Sequence, residues 1–172
     1  MALKPRGESG KTPDVTDHQP WSAETARAII AANAGREGAT LPILHALQET
    51  FGCVPEAAEP LVAEALNLSR AEIHGVVTFY HDFRRTPPGR HVLKLCRAEA
   101  CQARGGDALA ADVERGLGIP INSTSADGRV TFEAVYCLGL CASGPAIMID
   151  GKLVARVDAG EGAARVVEAC SR

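Results

Sequence analysis

The chain has 172 residues, of which 46% are hydrophobic, and a formal net charge of −3 with both signs scattered along it. This length suits one domain of ordinary size or two small ones, and there is no basic patch of the kind that binds nucleic acid. Aromatic residues make up only 4% of the chain, which also disfavours stacking on bases. No apolar stretch approaches the roughly 18 residues that span a bilayer, so we expect no direct membrane insertion.

The N-terminal stretch MALKPRGESGKTPDVTDHQP contains charges and prolines but lacks the apolar segment of a secretory signal. We therefore predict a disordered tail over residues 1–20 and a cytoplasmic location. Thiols stay reduced in the cytoplasm, so the six cysteines of this chain indicate metal or redox chemistry rather than disulfides.

The next segment, residues 21–86, is predicted to form a small helical bundle. Ser22 is the expected N-cap of the first helix, and Gly35 and Gly52 are expected to end the first and second helices. In both helices the apolar residues recur at helical spacing. Those expected to face the core are Ala26, Ile29, Ile30, Leu44, Leu47 and Phe51.

Two further helices complete the predicted bundle. Pro60 indicates that the third helix begins late, and a capping box of Ser69 and Glu72 opens the fourth. The expected core residues of these helices are Leu61, Ala65, Leu66, Ile73, Val76, Val77 and Tyr80. We expect this bundle to dock a partner protein, and an exposed Phe79 or Phe83 would contribute to the interface.

The stretch RRTPPGR breaks the pattern, and a different architecture is predicted for residues 91–172. The segment HVLKLC is predicted to form a strand that ends at Cys96. A helix capped by Asp107 and closed by Gly118 is predicted to follow. VTFEAVYC alternates as a strand, AIMIDGKLVARV forms a hairpin around Asp150-Gly151, and GEGAARVVEAC closes the chain as a helix. The order β-α-β-β-β-α predicts an α+β protein in which a thioredoxin-like α/β domain follows the bundle.

Four cysteines follow two of the predicted strands. Cys96 and Cys137 are placed at the strand ends, and Cys101 and Cys141 lie in the loops that leave them. If the two strands are parallel neighbours joined by a right-handed crossover, their carboxyl ends meet at one edge of the sheet. The C-x4-C and C-x3-C pairs would then bring four sulfurs together.

Four adjacent thiolates repel one another unless a metal centre holds them. A [2Fe–2S] cluster takes two thiolates per iron and suits these longer loops, whereas structural zinc more often uses C-x2-C knuckles. A colourless zinc-stapled assembly module stays open as an alternative. Thioredoxin-type chemistry requires C-x-x-C, which the chain lacks, and disulfides are disfavoured by the compartment.

Glycines and cations accompany the cysteine pairs. Gly139 and Gly144 allow the backbone to approach sulfur closely. Arg97 and Arg104 lie beside the first pair, where positive charge would stabilise an anionic cluster.

The stretches LCRAEACQARGG, YCLGLCASGPAIMIDG and IHGVVTFYHDFR resemble the thioredoxin-like [2Fe–2S] subunit that accompanies the NADH-oxidising flavoprotein. The similarity extends from about residue 21 to the end of the chain. Members of this family occur in NADH:quinone oxidoreductase, in NAD-reducing hydrogenases and in soluble NAD-dependent formate dehydrogenases. LCRAEACQ and HGVVTFYHDFR are most similar to the gamma subunit of the molybdenum-containing formate dehydrogenase.

The resemblance implies that Cys96, Cys101, Cys137 and Cys141 bind one [2Fe–2S] cluster. It implies a chain that transfers electrons within an NAD-dependent oxidoreductase and has no catalytic residues of its own. FMN and NAD are expected on a partner flavoprotein subunit, with further iron–sulfur and molybdenum subunits in the complex. The complex would be a formate dehydrogenase, with the quinone reductase and the hydrogenase as alternatives.

Other reactive side chains have simpler interpretations. Cys53 and Cys170 are expected to be a buried small hydrophobe and an ordinary thiol on the last helix. His45, His74 and His81 lack a third ligand in register and are expected to pack or lie at an interface. The bond Gly144-Pro145 precedes a predicted strand, a place where thioredoxin-like folds carry a cis proline.

Overall fold

The computed structural model of the protein describes residues 18–171. The helices of the first half are α1 (Ala23–Asn33), α2 (Thr40–Phe51), α3 (Glu59–Leu66) and α4 (Arg70–Phe79). In the second half α5 (Glu99–Cys101), α6 (Asp107–Leu117) and α7 (Glu161–Ala169) accompany the strands β1 (His91–Cys96), β2 (Ser123–Thr124), β3 (Val130–Val135), β4 (Ala146–Ile149) and β5 (Lys152–Ala155). Most of the tail predicted over residues 1–20 lies outside the described residues.

The first two helices begin and end close to the predicted residues. The Ser22 hydroxyl accepts the Thr25 N–H at 3.3 Å and caps α1, which ends two residues before Gly35. Gly52 adopts a left-handed conformation (φ 76°) and ends α2, a conformation that glycine reaches without strain. Just before α1, Gln19 donates its backbone N–H to the Thr50 carbonyl at 2.9 Å.

The third helix starts late, as expected, but its core face differs from the prediction. A 3₁₀ turn precedes α3, and Pro60 occupies the first turn of the helix. Val62 and Ala63 are the buried apolar residues, whereas Ala65 is exposed. Several consecutive apolar residues in this helix leave its rotation open in the sequence, and packing against the other helices decides it. The predicted Leu61 and Leu66 pack at the edge of the core.

The fourth helix begins with the predicted capping box. The Ser69 hydroxyl accepts the Glu72 N–H at 3.2 Å, and the Glu72 carboxylate accepts the Ser69 N–H at 2.8 Å. Ile73 and Val77 are buried as expected. Together the helices enclose one hydrophobic core formed by Ala26, Ile30, Ala39, Ile43, Leu44, Leu47, Phe51, Val54, Ala58, Val62, Ala63, Ile73, Val77 and Phe83.

The aromatic residues after α4 lie where the sequence pattern did not place them. Tyr80, predicted as core, is 43% exposed, because α4 ends at Phe79 and the Tyr80 backbone is extended. Phe79 is 72% exposed and contacts the Tyr80 ring edge-on. Phe83 is buried in the bundle core instead. The helix α4 therefore ends one residue before Tyr80, the residue that the prediction had included in its apolar stripe.

The strands of the second half form a five-stranded sheet in the order β2-β3-β1-β4-β5. The pairing of β1 with β3 is parallel, and the others are antiparallel. The hairpin around Asp150-Gly151 is present, with positive φ at both residues, as a type I′ turn requires. Strand β2 was not predicted, because two residues show no alternation.

The two faces of the sheet carry different side chains. Leu93, Leu95 and Phe132 pack with α6 and α7 in a second hydrophobic core. Since side chains alternate along a strand, Lys94 and Glu133, which are paired in register, lie on the opposite face. The helix α6 begins at Asp107 and ends at Gly118 as predicted, although Asp107 is its first residue rather than its cap.

The segment between α4 and β1 contacts this polar face. Arg84 donates two hydrogen bonds to the Glu133 carboxylate at 2.8 and 3.0 Å. The Lys94 ammonium lies 3.4 Å from the Asp82 carboxylate, and the Gly89 N–H donates to the Thr131 hydroxyl at 2.7 Å. We keep the division into a bundle of residues 21–86 and a domain of residues 91–172 as a proposal, which the two separate cores support.

In the described part of the chain, every helix is too short or too polar to cross a lipid bilayer.

A buried carboxylate holds the bundle to the connecting segment. Glu59 is 1% exposed, and its oxygens lie 2.7 Å from Arg85 and 3.2 Å from His74, with Arg70 at 3.7 Å. Burial alone would raise the pKa of Glu59, but hydrogen bonds with Arg85 and His74 and the charge of Arg85 outweigh it and hold the pKa below its ordinary value.

We expect Glu59→Gln to lower the free energy of unfolding at pH 7 by about 1–3 kcal/mol, because the buried acceptor loses the charge that pairs with Arg85 and His74. The stabilisation by a carboxylate of lowered pKa is fully present above the ordinary value of 4.5 and is lost as pH falls through the folded-state pKa. The difference between wild type and variant should therefore shrink in acid. Urea unfolding from pH 7 downwards measures it.

The matched control for this measurement is Glu56→Gln, which removes an exposed carboxylate paired with the same Arg70. This substitution should lower the free energy of unfolding by less than about 0.5 kcal/mol. Equal stability of the two variants at pH 7 would contradict the stabilising role of Glu59.

Candidate metal centre

The parallel pairing of β1 with β3 places two of the four predicted cysteines at one edge of the sheet. Cys96 is the last residue of β1 and pairs in register with Val135, the last residue of β3. The Arg97 N–H extends this pairing by donating to the Val135 carbonyl at 2.7 Å. Cys137 was predicted to end its strand but lies two residues beyond it, because the chain leaves the sheet there with a Cys137 φ of 139°.

Short helical turns carry the other two cysteines. Cys101 ends α5, and Cys141 begins a 3₁₀ turn, and these two turns are in contact. Cys96, Cys101 and Ala146 form a small buried cluster of their own. Surrounding it are the partly buried Ala98, Val135, Leu138 and Leu140. The cysteines thus converge at one edge of the sheet, as predicted.

The outer pair is held in a geometry that suits one tetrahedral metal. The sulfurs of Cys137 and Cys141 lie 3.6 Å apart. Two sulfurs bound to one tetrahedral metal at about 2.3 Å lie about 3.8 Å from each other. The Gly139 N–H, in a turn of positive φ, donates to the Cys137 sulfur at 3.3 Å. Gly139 therefore brings its backbone close to sulfur, as expected.

The inner pair is close-packed. A Cβ added at Gly144 would lie 3.1 Å from the Cys101 sulfur, tighter than an ordinary van der Waals contact. Cys96 and Cys101 are each 1% exposed, whereas Cys137 and Cys141 are exposed. One pair is thus shielded from water, and the other faces it. The bond Gly144-Pro145, whose isomer the sequence left undecided, is cis.

The thiols perturb one another in ways that show how close the two pairs are. Burial raises the pKa of Cys101, and hydrogen bonding and charge at Cys96 raise it further. The Gly139 N–H lowers the pKa of Cys137, while the hydrogen bond and charge of Cys137 raise the pKa of Cys141. Cys96 also raises the pKa of Cys141, which links the pairs. Without a cation the group cannot carry four thiolates, and a metal removes that restriction.

The arrangement of the four cysteines distinguishes between the two centres that the sequence left open, a zinc site and a [2Fe–2S] cluster. Among residues 18–171, three or more His, Cys, Asp or Glu side chains nowhere converge on a point that suits a single ion. Two separate cysteine pairs instead match a cluster that takes two thiolates per iron. The residues present fit a [2Fe–2S] cluster.

The remaining cysteines and histidines lie away from this edge. Cys53 is buried, and burial raises its pKa. Burial also raises the pKa of Cys170 to about 11, with a smaller contribution from Asp150. Cys53 is thus the buried small residue that was expected, whereas Cys170, expected as an ordinary thiol on the last helix, is buried in the second core just after α7. His45 contacts Phe83 with ring centroids 4.9 Å apart and ring planes tilted by 53°. His74 contacts Glu59, and His81 is exposed.

An exposed aromatic residue borders the site. The alternation of VTFEAVYC places Tyr136 with Val130 and Phe132 on the core face, but the strand ends one residue earlier and Tyr136 is 78% exposed. It immediately precedes the exposed Cys137. The period-two pattern missed this exposure, and only the adjacency of Tyr136 to a cysteine could have suggested it in the sequence.

The chain belongs to the thioredoxin-like [2Fe–2S] ferredoxin family, whose sequence profile matches residues 26–171. It is similar to an NADH-quinone oxidoreductase subunit of Pseudomonas aeruginosa, with 38% identity over 112 residues that cover 65% of this chain and 68% of the relative. The HndA subunit of the NADP-reducing hydrogenase of Solidesulfovibrio fructosivorans is 31% identical over 126 residues, covering 73% and 74%. Proteins of this family carry one [2Fe–2S] cluster.

A solved structure has the same fold. A chain in the crystal structure of an NAD+-reducing [NiFe]-hydrogenase in the H2-reduced state superimposes with a TM-score of 0.63 at 26% identity. The match covers 74% of this protein but only 22% of the hydrogenase chain. The similarity therefore supports the α+β, thioredoxin-like fold predicted from the sequence.

Gly144→Ala should lower the amount of iron and sulfide retained after anaerobic reconstitution at least several-fold, because the new methyl group would press on the Cys101 sulfur. Gly35→Ala is the control, since a Cβ there meets no atom within 4 Å. Iron and acid-labile sulfide per chain are measured for wild type and both variants. Full retention in Gly144→Ala would show that the close contact is unimportant.

Proposed function

We propose that Cys96, Cys101, Cys137 and Cys141 bind one [2Fe–2S] cluster and that the protein is an electron-transfer subunit. The observation that carries this proposal is the convergence of two cysteine pairs at one sheet edge in a chain of this family. Such a cluster supplies one-electron transfer when it is bound. The residues of this chain hold it, shield one side from water and leave the other side accessible.

We assign the ligands to the two irons by pair. Cys137 and Cys141, 3.6 Å apart, would share one iron, and Cys96 and Cys101, which lie in one buried cluster, would share the other. The exposed pair defines the face where electrons are exchanged, because electron transfer requires close approach of the partner. Tyr136 beside Cys137 widens the apolar part of this face.

The proposed partner is a flavoprotein that binds FMN and NAD, and the proposed location is the cytoplasm. The relatives named above are subunits of NADH-quinone oxidoreductase and of an NADP-reducing hydrogenase. Similarity of LCRAEACQ and HGVVTFYHDFR to a gamma subunit favours an NAD-dependent formate dehydrogenase with iron–sulfur and molybdenum subunits. The exposed Phe79 supports docking through the helical bundle.

Metal analysis and spectroscopy test the cluster assignment. The anaerobically purified chain should contain two irons and two sulfides and should give a rhombic EPR signal only after reduction, as a single [2Fe–2S] cluster requires. One zinc with a featureless visible spectrum would instead indicate a zinc-stapled module and would overturn the proposal. Cys101→Ser should lose or alter the signal and lower the melting temperature, because metal binding also stabilises the fold.

Cys170→Ala is the matched control, since it removes another thiol that is 1% exposed but lies in the core between sheet and helices. It should leave the EPR signal unchanged, whatever it costs in stability. Loss of the signal in both variants would point to unfolding rather than to ligation.

Affinity purification from the source cells tests the choice of complex. We expect the tagged chain to co-purify with a flavoprotein and a molybdenum subunit and to show formate-dependent NAD+ reduction. Tyr136→Ser should slow electron exchange with the flavoprotein without changing the cluster spectrum, whereas the control Leu153→Ser, at an exposed position of β5, should leave the exchange unchanged. Hydrogen-dependent or quinone-dependent activity in the purified complex would contradict the formate dehydrogenase assignment while leaving the electron-transfer role intact.

A further inference from the structure

One side chain connects the loops that carry the two cysteine pairs. Arg104 follows Cys101 by three residues, and its Nε donates to the Gly144 carbonyl at 3.1 Å. Gly144 lies directly after the 3₁₀ turn that begins at Cys141. A hydrogen bond from one cysteine loop thus ends on the backbone of the other.

The residue that accepts this hydrogen bond, Gly144, also packs closely against the buried Cys101 sulfur. A Cβ at Gly144 would lie 3.1 Å from the Cys101 sulfur and 3.7 Å from Cδ of Arg104. The loop is therefore packed between the Arg104 stem and Cys101. Any loosening of the Arg104 contact would let this loop move away from the sulfur.

The backbone around Arg104 is bent in a way that directs this contact. A kink at residues 102–106 separates α5 from α6, with non-helical angles at Arg104 and a φ of 95° at Gly105. Gly106 closes the bend tightly, since a Cβ there would lie 2.7 Å from the Cys101 carbonyl oxygen.

The charge of Arg104 has no carboxylate partner among residues 18–171, unlike that of the other arginine near the first cysteine pair. Arg97 lies 3.1 Å from the Asp107 carboxylate, which neutralises it. Arg104 binds a neutral carbonyl instead. Its positive charge is thus available to a negatively charged group beside Cys101.

We propose that Arg104 is a positioning residue of the cluster site that also raises the reduction potential of the bound cluster. The inference rests on the proposed function. A cluster with four thiolate ligands is anionic and gains one more negative charge on reduction, so a nearby uncompensated cation stabilises the reduced form. The same side chain holds the Gly144 loop over Cys101 and so keeps water and chelators away from the inner pair.

Two substitutions separate charge from positioning. Arg104→Gln removes the charge and the Nε donor, whereas Arg104→Lys keeps the charge but places a methylene where Nε donates. Arg115→Gln is the control, because it changes the net charge equally but lies eight residues beyond the start of α6 at Asp107, about 12 Å along that helix at 1.5 Å per residue. That distance exceeds the Debye length of about 8–10 Å.

Potentiometric titration followed by EPR measures the reduction potential of the cluster. The rate at which the protein loses iron to a chelator tests whether Arg104 positions the Gly144 loop. At the wild-type midpoint, Arg104→Gln should lower the ratio of reduced to oxidised cluster about three- to tenfold, tenfold being about 59 mV for a one-electron couple. Arg104→Lys and Arg115→Gln should stay within about twofold. Both Arg104 variants, but not Arg115→Gln, should lose iron at least several-fold faster.

Unchanged midpoint and iron loss in Arg104→Gln, with a normal cluster in the wild type, would overturn this inference and leave the proposed function standing. A wild-type chain that holds no [2Fe–2S] cluster would overturn both. If Arg104→Gln does not fold, Arg104→Lys decides. Slow iron loss like that of wild type would then refute the positioning role, and a tenfold lower ratio of reduced to oxidised cluster would refute the role of the charge.

Discussion

The parallel pairing of β1 with β3 is the constraint on which the candidate site depends. Parallel neighbours point their carboxyl ends in the same direction, so Cys96 and the chain beyond Val135 emerge at one edge. An antiparallel pairing of the same two strands would send the cysteine loops to opposite edges of the sheet. The helices α5 and α6 provide the crossover that parallel pairing requires, and the first of them carries Cys101.

The site combines a buried half with an exposed half, and each half serves a different requirement. Cys96 and Cys101 lie in an apolar cluster with Ala146, which excludes water and limits the loss of a bound metal. Cys137 and Cys141 lie on an exposed loop, where a partner could approach. The backbone of this loop contacts sulfur at two places. The Gly139 N–H donates to the Cys137 sulfur, and Gly144 packs on the Cys101 sulfur. Protection and access are thus divided between two pairs of candidate ligands.

Polar contacts join the helical half of the chain to the sheet. Arg84 pairs with Glu133, Lys94 lies near Asp82, and Glu59 binds Arg85 from inside the bundle. These charges surround the connecting segment, while the two hydrophobic cores remain separate. The exposed Phe79 lies at the end of α4 where this segment begins. The proposed docking surface and the tie to the sheet therefore occur close together in the chain.

Local chemistry determined much of the structure from the sequence by itself. Ser22, Gly52 and the capping box at Ser69 place helix ends because their hydrogen bonds and allowed φ angles are local. The hairpin at Asp150-Gly151 was predicted for the same reason. The candidate ligands could also be named, since cysteine spacing and the resemblance to a family are properties of the sequence alone.

Only the tertiary structure decided what depends on distant contacts. Packing chose Val62 and Ala63 as the core face of α3 and left Tyr80 partly exposed. Pairing with β3 produced the short strand β2, which has no pattern of its own. The cysteines divide into a buried pair and an exposed pair that are about forty positions apart in the chain. The hydrogen bond from Arg104 to Gly144 likewise joins residues forty positions apart. Sequence periodicity reports neighbours along the chain, whereas burial and charge compensation depend on neighbours in space.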